Sequence, residues 1–253
     1  MNWADITAVV GAAAWLPHVL RFFQKPRVTA YVGGTVEVGF TFFGPILNPA
    51  AAFRTERRDA IIAGARLSVT HERGQTARFR AVQVTDVGPQ SATSTGVTQA
   101  YARVQSVVVL ALTPSVVPER KFQFRSEESL RGFDQLHAGF NAALRRLVAP
   151  GMPFPRDEFG RAPEVQTLLD AARQGFFWQT GRYTVRAEFD VPELSAPVTA
   201  TFAFQLTDAH LVTLTANLTA LEASLRQGAD PLGASGLPPA TYNWVHPLVT
   251  SEE

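Results

Sequence analysis

The chain has 253 residues, enough for one large domain or two small ones, and with 46% hydrophobic and 18% charged residues its composition is that of a globular protein. It contains no cysteine, which excludes a disulfide scaffold, thiolate metal sites and cysteine nucleophiles. The net charge of +1 is unevenly distributed: residues 1–125 hold 14 lysines and arginines against 7 acidic residues, and residues 126–253 hold 9 against 15. A basic N-terminal half favours contact with anionic lipid headgroups, although arginines on the solvent faces of strands would give the same excess.

The first predicted element is a hydrophobic helix in residues 1–24. An apolar run from Ile6 to Leu16 has a single polar interruption and continues to Phe23, and cations follow the run but do not precede it. A cleaved signal peptide would carry its positive charge before the apolar core, so this pattern disfavours one. The segment is long enough to span a bilayer with Arg21 near its end. An interfacial or re-entrant helix, and a helix buried in protein contacts, are the open alternatives.

In a membrane-associated helix the apolar side chains would contact acyl chains, and the cations that follow would contact headgroups. The predicted membrane-anchor residues are Trp3, Ile6, Val9, Val10, Trp15, Leu16, Leu20, Phe22 and Phe23. The predicted headgroup contacts are Arg21, Lys25 and Arg27. If the helix spans the membrane, cations on this flank place the main domain in the cytoplasm.

Residues 25–227 are predicted to form one β-sandwich domain. Apolar and polar residues alternate with a period of two in residues 35–42, 65–70, 78–80, 121–125, 182–189 and 198–206, which is typical of strands that bury one face. Turns are predicted between strands at Gly33-Gly34, Gly44-Pro45 and Asn48-Pro49, among others. Residues 99–112 end in a continuous apolar run, which predicts a central strand. No helix-length pattern lies between residues 28 and 125, which favours an antiparallel sandwich over a parallel α/β sheet.

Two helical patterns then interrupt the strands. Leucines and phenylalanines spaced by three or four in residues 130–147 predict a helix with Ser126 as its cap. A second, shorter pattern in residues 163–176 begins with a proline at a favoured first-turn position. Together these patterns predict a helical hairpin, residues 126–178, inserted between strands. Its last three residues, Phe-Phe-Trp, are predicted to be core or helix-capping hydrophobes.

A closing helix and a tail are predicted after the last strand. A leucine stripe in residues 211–225 predicts the helix, with Thr207 or Asp208 as its cap. Asn217 begins a formal glycosylation acceptor sequence, but it lies inside this stripe, and a cytoplasmic domain would not be modified there. Residues 228–253 are rich in Gly, Pro and Ala at their start and predict a loosely packed C-terminal tail.

The sequence contains no recognisable catalytic, metal-binding or cofactor-binding motif, and we predict no cofactor and no metal. No two of the five histidines lie within four residues of each other, so a metal site or a histidine base would have to be assembled by the fold. A nucleophile elbow and a phosphate-binding loop are both lacking. If the protein were a hydrolase, the candidates for its carboxylates and its histidine would be Asp134, His137 and Asp157.

Two segments are candidate partner contacts. Residues 54–59, RTERRD, join two predicted strands and form either a solvated turn or an anion or partner contact. Residues 150–160 contain three prolines and form either a docking loop or a proline-braced connection packed on the sandwich. The candidate partner-contact residues in this loop are Met152, Phe154, Arg156 and Phe159. Aromatic platforms interleaved with cations are not evident, which disfavours nucleic-acid binding.

Residues 181–189 and 198–207 resemble the last two strands of an immunoglobulin-like domain. Tyr183 would occupy the corner position at which such domains often bond a tyrosine hydroxyl back to the chain. Residues 48–62 resemble a strand–turn–strand unit of the same superfold, including its arrestin-like variants. Together with residues 25–33, the layout is similar to uncharacterised bacterial proteins in which an N-terminal helix tethers such a sandwich. The resemblance implies a fold and no particular activity.

The sequence therefore predicts a mainly β protein: an antiparallel immunoglobulin-like sandwich with an N-terminal hydrophobic helix, an inserted helical hairpin and a C-terminal helix. The functional hypothesis is a non-enzymatic, membrane-associated interaction or scaffold protein that presents its cytoplasmic sandwich to a protein partner. The alternative is a subunit of a soluble multiprotein assembly whose N-terminal helix packs into a partner, and a hydrolase is a third reading. The expected partners are a protein and a membrane rather than nucleic acid or a small-molecule substrate.

Overall fold

The computed structural model describes residues 24–86, 90–94, 97–101, 104–105, 109–147, 154–227 and 241–251. Its strands are β1 (Arg27–Thr41), β2 (Gly44–Glu56), β3 (Ala60–Ile62), β4 (Gly64–His71), β5 (Thr76–Asp86), β6 (Gln90–Ser94), β7 (Val97–Tyr101), β8 (Val104–Gln105), β9 (Leu110–Leu112), β10 (Glu119–Ser126), β11 (Gly181–Asp190), β12 (Val198–Leu206) and β13 (Thr250–Ser251). Its helices are α1 (Glu127–Leu147), α2 (Arg156–Arg161), α3 (Pro163–Gln174) and α4 (Asp208–Arg226).

Nine of these strands form one antiparallel sheet in the order β1-β2-β10-β5-β4-β11-β12-β13, with β8 also pairing with β5. The sheet curls until β1, at one edge, and β12, near the other, are joined through the C-terminal residues 241–251. On one side of that segment, Val38 and Val245 exchange backbone hydrogen bonds of 2.9 and 3.0 Å. On its other side, Ser251 pairs with Phe202. The predicted mainly β, antiparallel architecture with an inserted helical hairpin and a closing helix is confirmed, and its two layers are the two sides of one nearly closed sheet.

The core fills the inside of the curled sheet with the apolar residues of the alternating strands. Phe53 of β2 lies at its centre, with ring centroids 5.8 Å from Phe122 and 4.9 Å from Phe189. All three rings are 2% exposed or less. Burial of each such side chain stabilises the folded state by about 1.5–3 kcal/mol. Because a shift of one residue would expose all of them, the alternation on these strands specifies which face points inward.

The segment before β11 joins the helical insertion to this core. Trp178 is buried, as predicted, and its indole N–H donates a 2.8 Å hydrogen bond to the Gly39 carbonyl of β1. Tyr183 bonds back to the chain, as the corner position implied: its hydroxyl donates to the Gln179 carbonyl at 3.0 Å and accepts from the Gln179 N–H at 2.6 Å. The long turn into β11 is therefore held by buried, satisfied polar groups.

The three helices predicted after residue 126 form, and two of them begin at their predicted caps. The Ser126 hydroxyl accepts from the Ser129 N–H at the start of α1, and the Thr207 hydroxyl accepts from the His210 N–H at the start of α4. The short helix α2 was not predicted, because six residues behind closely spaced prolines are too few to show a helical period. It begins after Pro155, with acidic residues in its first turn.

Two predicted turns are wrong, because both sequences lie inside long strands. The segment Gly33-Gly34 is part of β1, where the pairing with β2 shifts register between Val32 and Val36, and Gly34 has a φ of 76°. The irregularity needs a glycine at a positive φ, as a hairpin turn often does, but β1 continues past it in the same direction. Pro49 lies within β2 at the point where pairing with β10 is interrupted, so its missing N–H costs no ladder hydrogen bond there.

Two further expectations also fail. In the described part of residues 99–112 the expected central strand is not found, because Leu110–Leu112 pairs only with β3 in a separate two-stranded sheet. The C-terminal residues 241–251 are not loosely packed, since they pair with both β1 and β12 and bury Val245. A run of Gly and Pro in residues 228–240 dominated the sequence pattern and concealed the short strand that follows.

Candidate functional site

A cleft of about 250 Å³ lies between the β1–β2 turn and the helices, and we call it the helical cleft. Strand β1 forms its floor, while α1, α3 and α4 form its walls. Most of its lining is apolar, with main contributions from Phe40, Phe42, Phe133, Leu136, Leu168 and Leu221. The cleft exists because the helical insertion packs against the end of the sheet through large side chains that meet small ones, such as Gly132, Ala171 and Ala172.

Aromatic packing holds α1 against the β1–β2 turn. The Phe133 ring meets Phe42 edge-on at 5.1 Å and Phe43 at 5.0 Å. Gly44 allows this approach for two reasons: its φ is 81°, which L side chains rarely adopt, and a Cβ there would overlap the Ser129 side chain. The mouth of the cleft is therefore built by the backbone of the turn as much as by the helix.

Two bidentate ion pairs set the spacing of the helices that wall the cleft. Arg146 of α1 donates two hydrogen bonds, of 2.6 and 3.0 Å, to the carboxylate of Glu164 in α3. These bonds lower the pKa of Glu164 to about 2. Arg173 of α3 binds Glu222 of α4 in the same way, at 2.7 and 3.0 Å. Exposed ion pairs contribute little stability, but fork-to-fork geometry fixes the relative position of the elements it joins.

The chemistry of the lining favours binding over catalysis. Glu128 is the one charged residue among the lining residues, and it is exposed at the edge of the cleft. Thr41, Ser129 and Gln174 add polar groups. The volume is below the roughly 300 Å³ at which pockets for small ligands begin, so it suits one or two apolar side chains. A cationic group beside those side chains would complement Glu128.

The residues suggested for a hydrolase do not converge on the helical cleft. Asp134 is exposed on α1, and His137 stacks on the Phe133 ring at 5.6 Å and lies 3.2 Å from the Asn141 amide nitrogen. Asp157 is exposed on α2, where it borders a shallow groove between α2 and α4. Among the residues that the structure describes, no group of three or more His, Asp or Glu side chains is placed to hold a metal ion.

The predicted membrane-anchor residues and Arg21 lie outside the described residues. Lys25 and Arg27, the remaining predicted headgroup contacts, are both exposed at the start of β1. Within the described part of the chain, no helix combines the length and the apolar character that crossing a membrane requires.

The predicted partner loop is used mainly for internal packing. Phe159 is fully buried, with ring centroids 5.5 Å from Phe140 of α1 and 5.1 Å from Phe154. Arg156 is exposed, and Met152 lies outside the described residues. Phe154 and Phe159 thus fit the alternative of a braced connection, packed here on the helices, better than a docking loop.

Sequence reasoning missed the helical cleft, because its lining comes from five separate elements. The available signal was the placement of small residues on helix faces that otherwise carry large ones, at Gly132 and at Ala171-Ala172. No protein-family model matches this chain, and no curated protein matches it in sequence.

Proposed function

We propose that this protein is a non-enzymatic, membrane-associated interaction protein whose β domain binds a protein partner through the helical cleft. The observation that carries the proposal is the cleft itself, an apolar site of about 250 Å³ with one acidic residue at its edge. A partner segment with one or two large apolar side chains next to a lysine or arginine matches it in size and charge. The hydrophobic residues 6–23 supply the membrane association, with the β domain on the cytoplasmic side.

The alternative proposal is a subunit of a soluble assembly whose N-terminal segment packs into another protein. Fractionation of the native host separates the two readings, with the full-length protein compared with a chain that lacks residues 1–24. The membrane reading expects only the full-length protein to pellet, to resist a carbonate wash and to require detergent for release. Solubility of both proteins after a high-salt wash would reject membrane association and favour the assembly.

Binding through the cleft is tested by selecting displayed peptides on the full-length protein. The selected peptides should carry an aromatic or large aliphatic residue beside a cation. Gly132 lines the cleft, and a Cβ added to it meets only the end of Leu136 at 3.8 Å, so Gly132→Leu places a side chain at the cleft wall. We expect this variant to lose at least tenfold in affinity for the selected peptides. The control Ala138→Leu adds the same side chain to an exposed position of α1.

Charge at the edge of the cleft is tested separately. Glu128→Lys should weaken binding of the cationic peptides, and the weakening should shrink at high salt. Asp134→Lys makes the same change on an exposed part of α1 that does not line the cleft. Equal affinities for Gly132→Leu, Glu128→Lys and both controls would show that the peptides bind elsewhere and would reject the cleft as the partner site.

A further inference from the structure

A second surface lies at the end of the sheet opposite the helical cleft. Strand β1 starts at Arg27 and reaches the cleft at Thr41, and at about 3.3 Å per residue the strand between them is at most roughly 45 Å long. The distant end is formed by the start of β1, the end of β2, the small β3–β9 sheet and the turn before β10. We call it the distal surface.

The distal surface exposes large apolar side chains. Ile61 pairs with Ala111, and Val109 lies two residues before Ala111, so all three share one face of the β3–β9 sheet. Val116 and Val117 follow in the turn before β10. The side chains of Ile61, Val109, Val116 and Val117 belong to residues that are between 44% and 60% exposed, whereas most large aliphatic residues of the described chain are buried. Single exposed residues of this kind are ordinary, but a group at one end of a fold marks a contact surface.

Cations lie at the same end of the sheet as this apolar group. Arg54 of β2 pairs with Thr29 of β1. On its other side β2 pairs with β10, where Ala52 lies opposite Glu119. Because the two strands are antiparallel, continuing this register by two residues places Val117 beside Arg54. The turn after β2 adds Arg57 and Arg58, and the start of β1 adds Lys25 and Arg27, all exposed. Residues 25–31, 52–62 and 109–117 hold five cations and two carboxylates, Glu56 and Asp59. Glu56 lies 3.3 Å from the Arg54 guanidinium, and Glu119 borders the surface at the start of β10.

Two hydrogen bonds hold the turn after β2 in a conformation that leaves its arginines exposed to solvent. Arg57 has a φ of 76°, which residues other than glycine and asparagine adopt only at a cost. The Thr55 hydroxyl donates a 3.0 Å hydrogen bond to the Arg58 carbonyl, and the Arg58 N–H donates to the Glu56 carbonyl at 3.0 Å. Glycine would adopt this φ without that cost, so the turn displays a charge at position 57 at the expense of some backbone strain.

We propose that the distal surface binds the anionic headgroups of a lipid bilayer, with its valine and isoleucine side chains entering the interface. Cations around exposed apolar side chains complement a surface that is negatively charged outside and apolar beneath. The position of the chain favours a bilayer over other anionic partners: the hydrophobic residues 6–23 lead directly into Lys25 and β1 at this end. A single-stranded nucleic acid would need several stacking aromatics, and Tyr31 is the one exposed aromatic among the described residues of this surface.

This inference rests on the proposed membrane association and deepens it, because it fixes an orientation. With the distal surface on the headgroups, the helical cleft lies at the far end of the sheet and faces away from the bilayer. The membrane contact and the partner contact therefore do not compete for the same surface.

The full-length protein can be tested directly, because it has no cysteine to interfere with labelling. Val117→Cys, labelled with a polarity-sensitive fluorophore, reports on the distal surface, and labelled Gln174→Cys reports on the helical cleft. Vesicles of phosphatidylcholine alone are compared with vesicles in which about a third of the lipid is phosphatidylserine, and co-flotation is measured in the same samples. We expect the label at position 117 to move to an apolar environment only with the anionic vesicles, while the label at position 174 does not respond.

Charge variants identify the cause of the response. In the labelled protein, Arg54→Gln with Arg57→Asn should reduce the affinity for anionic vesicles at least tenfold, and asparagine tolerates the φ at position 57. The matched control, Arg78→Gln with Arg80→Gln, removes two exposed arginines from the outer face of β5 and should keep the affinity within twofold.

Each outcome decides a separate point. Flotation without a response at position 117 overturns this inference and leaves membrane association through residues 6–23 intact. A response with anionic vesicles but no flotation on neutral ones supports the distal surface and rejects insertion of residues 6–23. Equal loss in both double variants, or an equal response to a single-stranded oligonucleotide or polyglutamate without lipid, overturns the bilayer as the specific occupant.

Discussion

Most of the buried polar side chains that the structure describes bind the backbone; Asn48, which donates to the Glu37 carboxylate, is an exception. His71 is 1% exposed, and its Nε2 lies 3.1 Å from the Thr180 carbonyl while its Nδ1 accepts from the Arg73 N–H at 3.3 Å. This pairing requires the neutral tautomer with its proton on Nε2. Because the backbone occupies both ring nitrogens, His71 has a structural role that no sequence motif announces.

Tyr183 allows a test of these buried contacts. Tyr183→Phe removes the hydroxyl that serves both the N–H and the carbonyl of Gln179, so we expect the free energy of unfolding to fall by about 1–3 kcal/mol. Burial raises the pKa of Tyr183 from 10.0 to about 12. The unfolded chain therefore loses the proton first, and the contribution of Tyr183 to stability is present below pH 10 and lost as the pH rises towards 12.

Urea denaturation at several pH values measures both effects. The wild type should lose stability between pH 10 and 12 more steeply than Tyr183→Phe does. Burial also raises the pKa of Tyr242 to about 12, so part of the decline should persist in the variant. Parallel pH profiles for the two proteins would contradict the assignment to Tyr183.

Gly39 is required for space rather than for conformational freedom. A Cβ at this position would overlap the Trp244 ring, which lies against the backbone of β1. We expect Gly39→Ala to cost about 1–3 kcal/mol in chemical denaturation, because the ring must move. Gly33→Ala is the control within β1, since its Cβ meets no atom within 4 Å. If the clash is the cause, Trp244→Ala should reduce the cost of the Gly39 substitution.

At the scale of elements, the strands bury the apolar residues of their alternating patterns. Their outer faces carry a repulsion between neighbouring arginines, which the alternation does not reveal. Arg80 of β5 pairs with Arg66 of β4 on one side and with Arg125 of β10 on the other. Like charges directly opposite each other destabilise a sheet. The structure relieves part of this repulsion, since Arg66 binds Asp190 and the Arg125 guanidinium lies 3.7 Å over the Phe43 ring.

Replacing the middle arginine should therefore stabilise the sheet. Arg80→Thr should raise the free energy of unfolding by about 0.5 kcal/mol relative to Arg78→Thr, because Arg78 faces Ser68 rather than a second arginine. Thermal or urea denaturation at low and high salt measures the difference. It should shrink at high salt, where the repulsion is screened. A difference that is unchanged by salt would indicate strand propensity rather than charge.

The helices were predictable as elements, whereas their arrangement was not. The three longer helices carry periodic apolar residues in the sequence, α1 and α4 also carry clear caps, and all three form. The contacts that define the helical cleft join residues far apart in the chain, such as Arg173 with Glu222 and Phe42 with Phe133. Local patterns record the periodicity of one element and carry no information on which element faces it.

At the scale of the whole molecule, one side chain ties the closing segment to the body. Asn217 of α4 is 1% exposed, donates to the Asn243 carbonyl at 2.6 Å and accepts from the Asn243 N–H at 2.8 Å. The same Asn217 begins the formal glycosylation sequence, and both the nitrogen and the oxygen of its amide are bonded inside the fold. The segment that closes the sheet is thus held by α4 as well as by β1 and β12.

Removing this tie should loosen the closure of the sheet. We expect Asn217→Ala to lower the free energy of unfolding by about 2–3 kcal/mol, since it leaves two backbone groups of Asn243 without partners. Cleavage by chymotrypsin near Tyr242 and Trp244 should also become faster under native conditions. Asn243→Ala is the control, because only the backbone of that residue takes part. Similar effects of the two substitutions would refute the role of Asn217.

Local patterns in the sequence were enough to predict the alternating strands, the capped helices α1 and α4, and the hydrophobic segment that precedes β1. These properties depend on residues close together in the chain, so their periodicity and capping are visible without a structure. Only the folded arrangement shows that Gly33-Gly34 and Pro49 lie within strands, that residues 241–251 close the sheet, and that the helical cleft and the distal surface lie at opposite ends. Those features depend on pairing and packing between distant segments, where burial and register outweigh local preference.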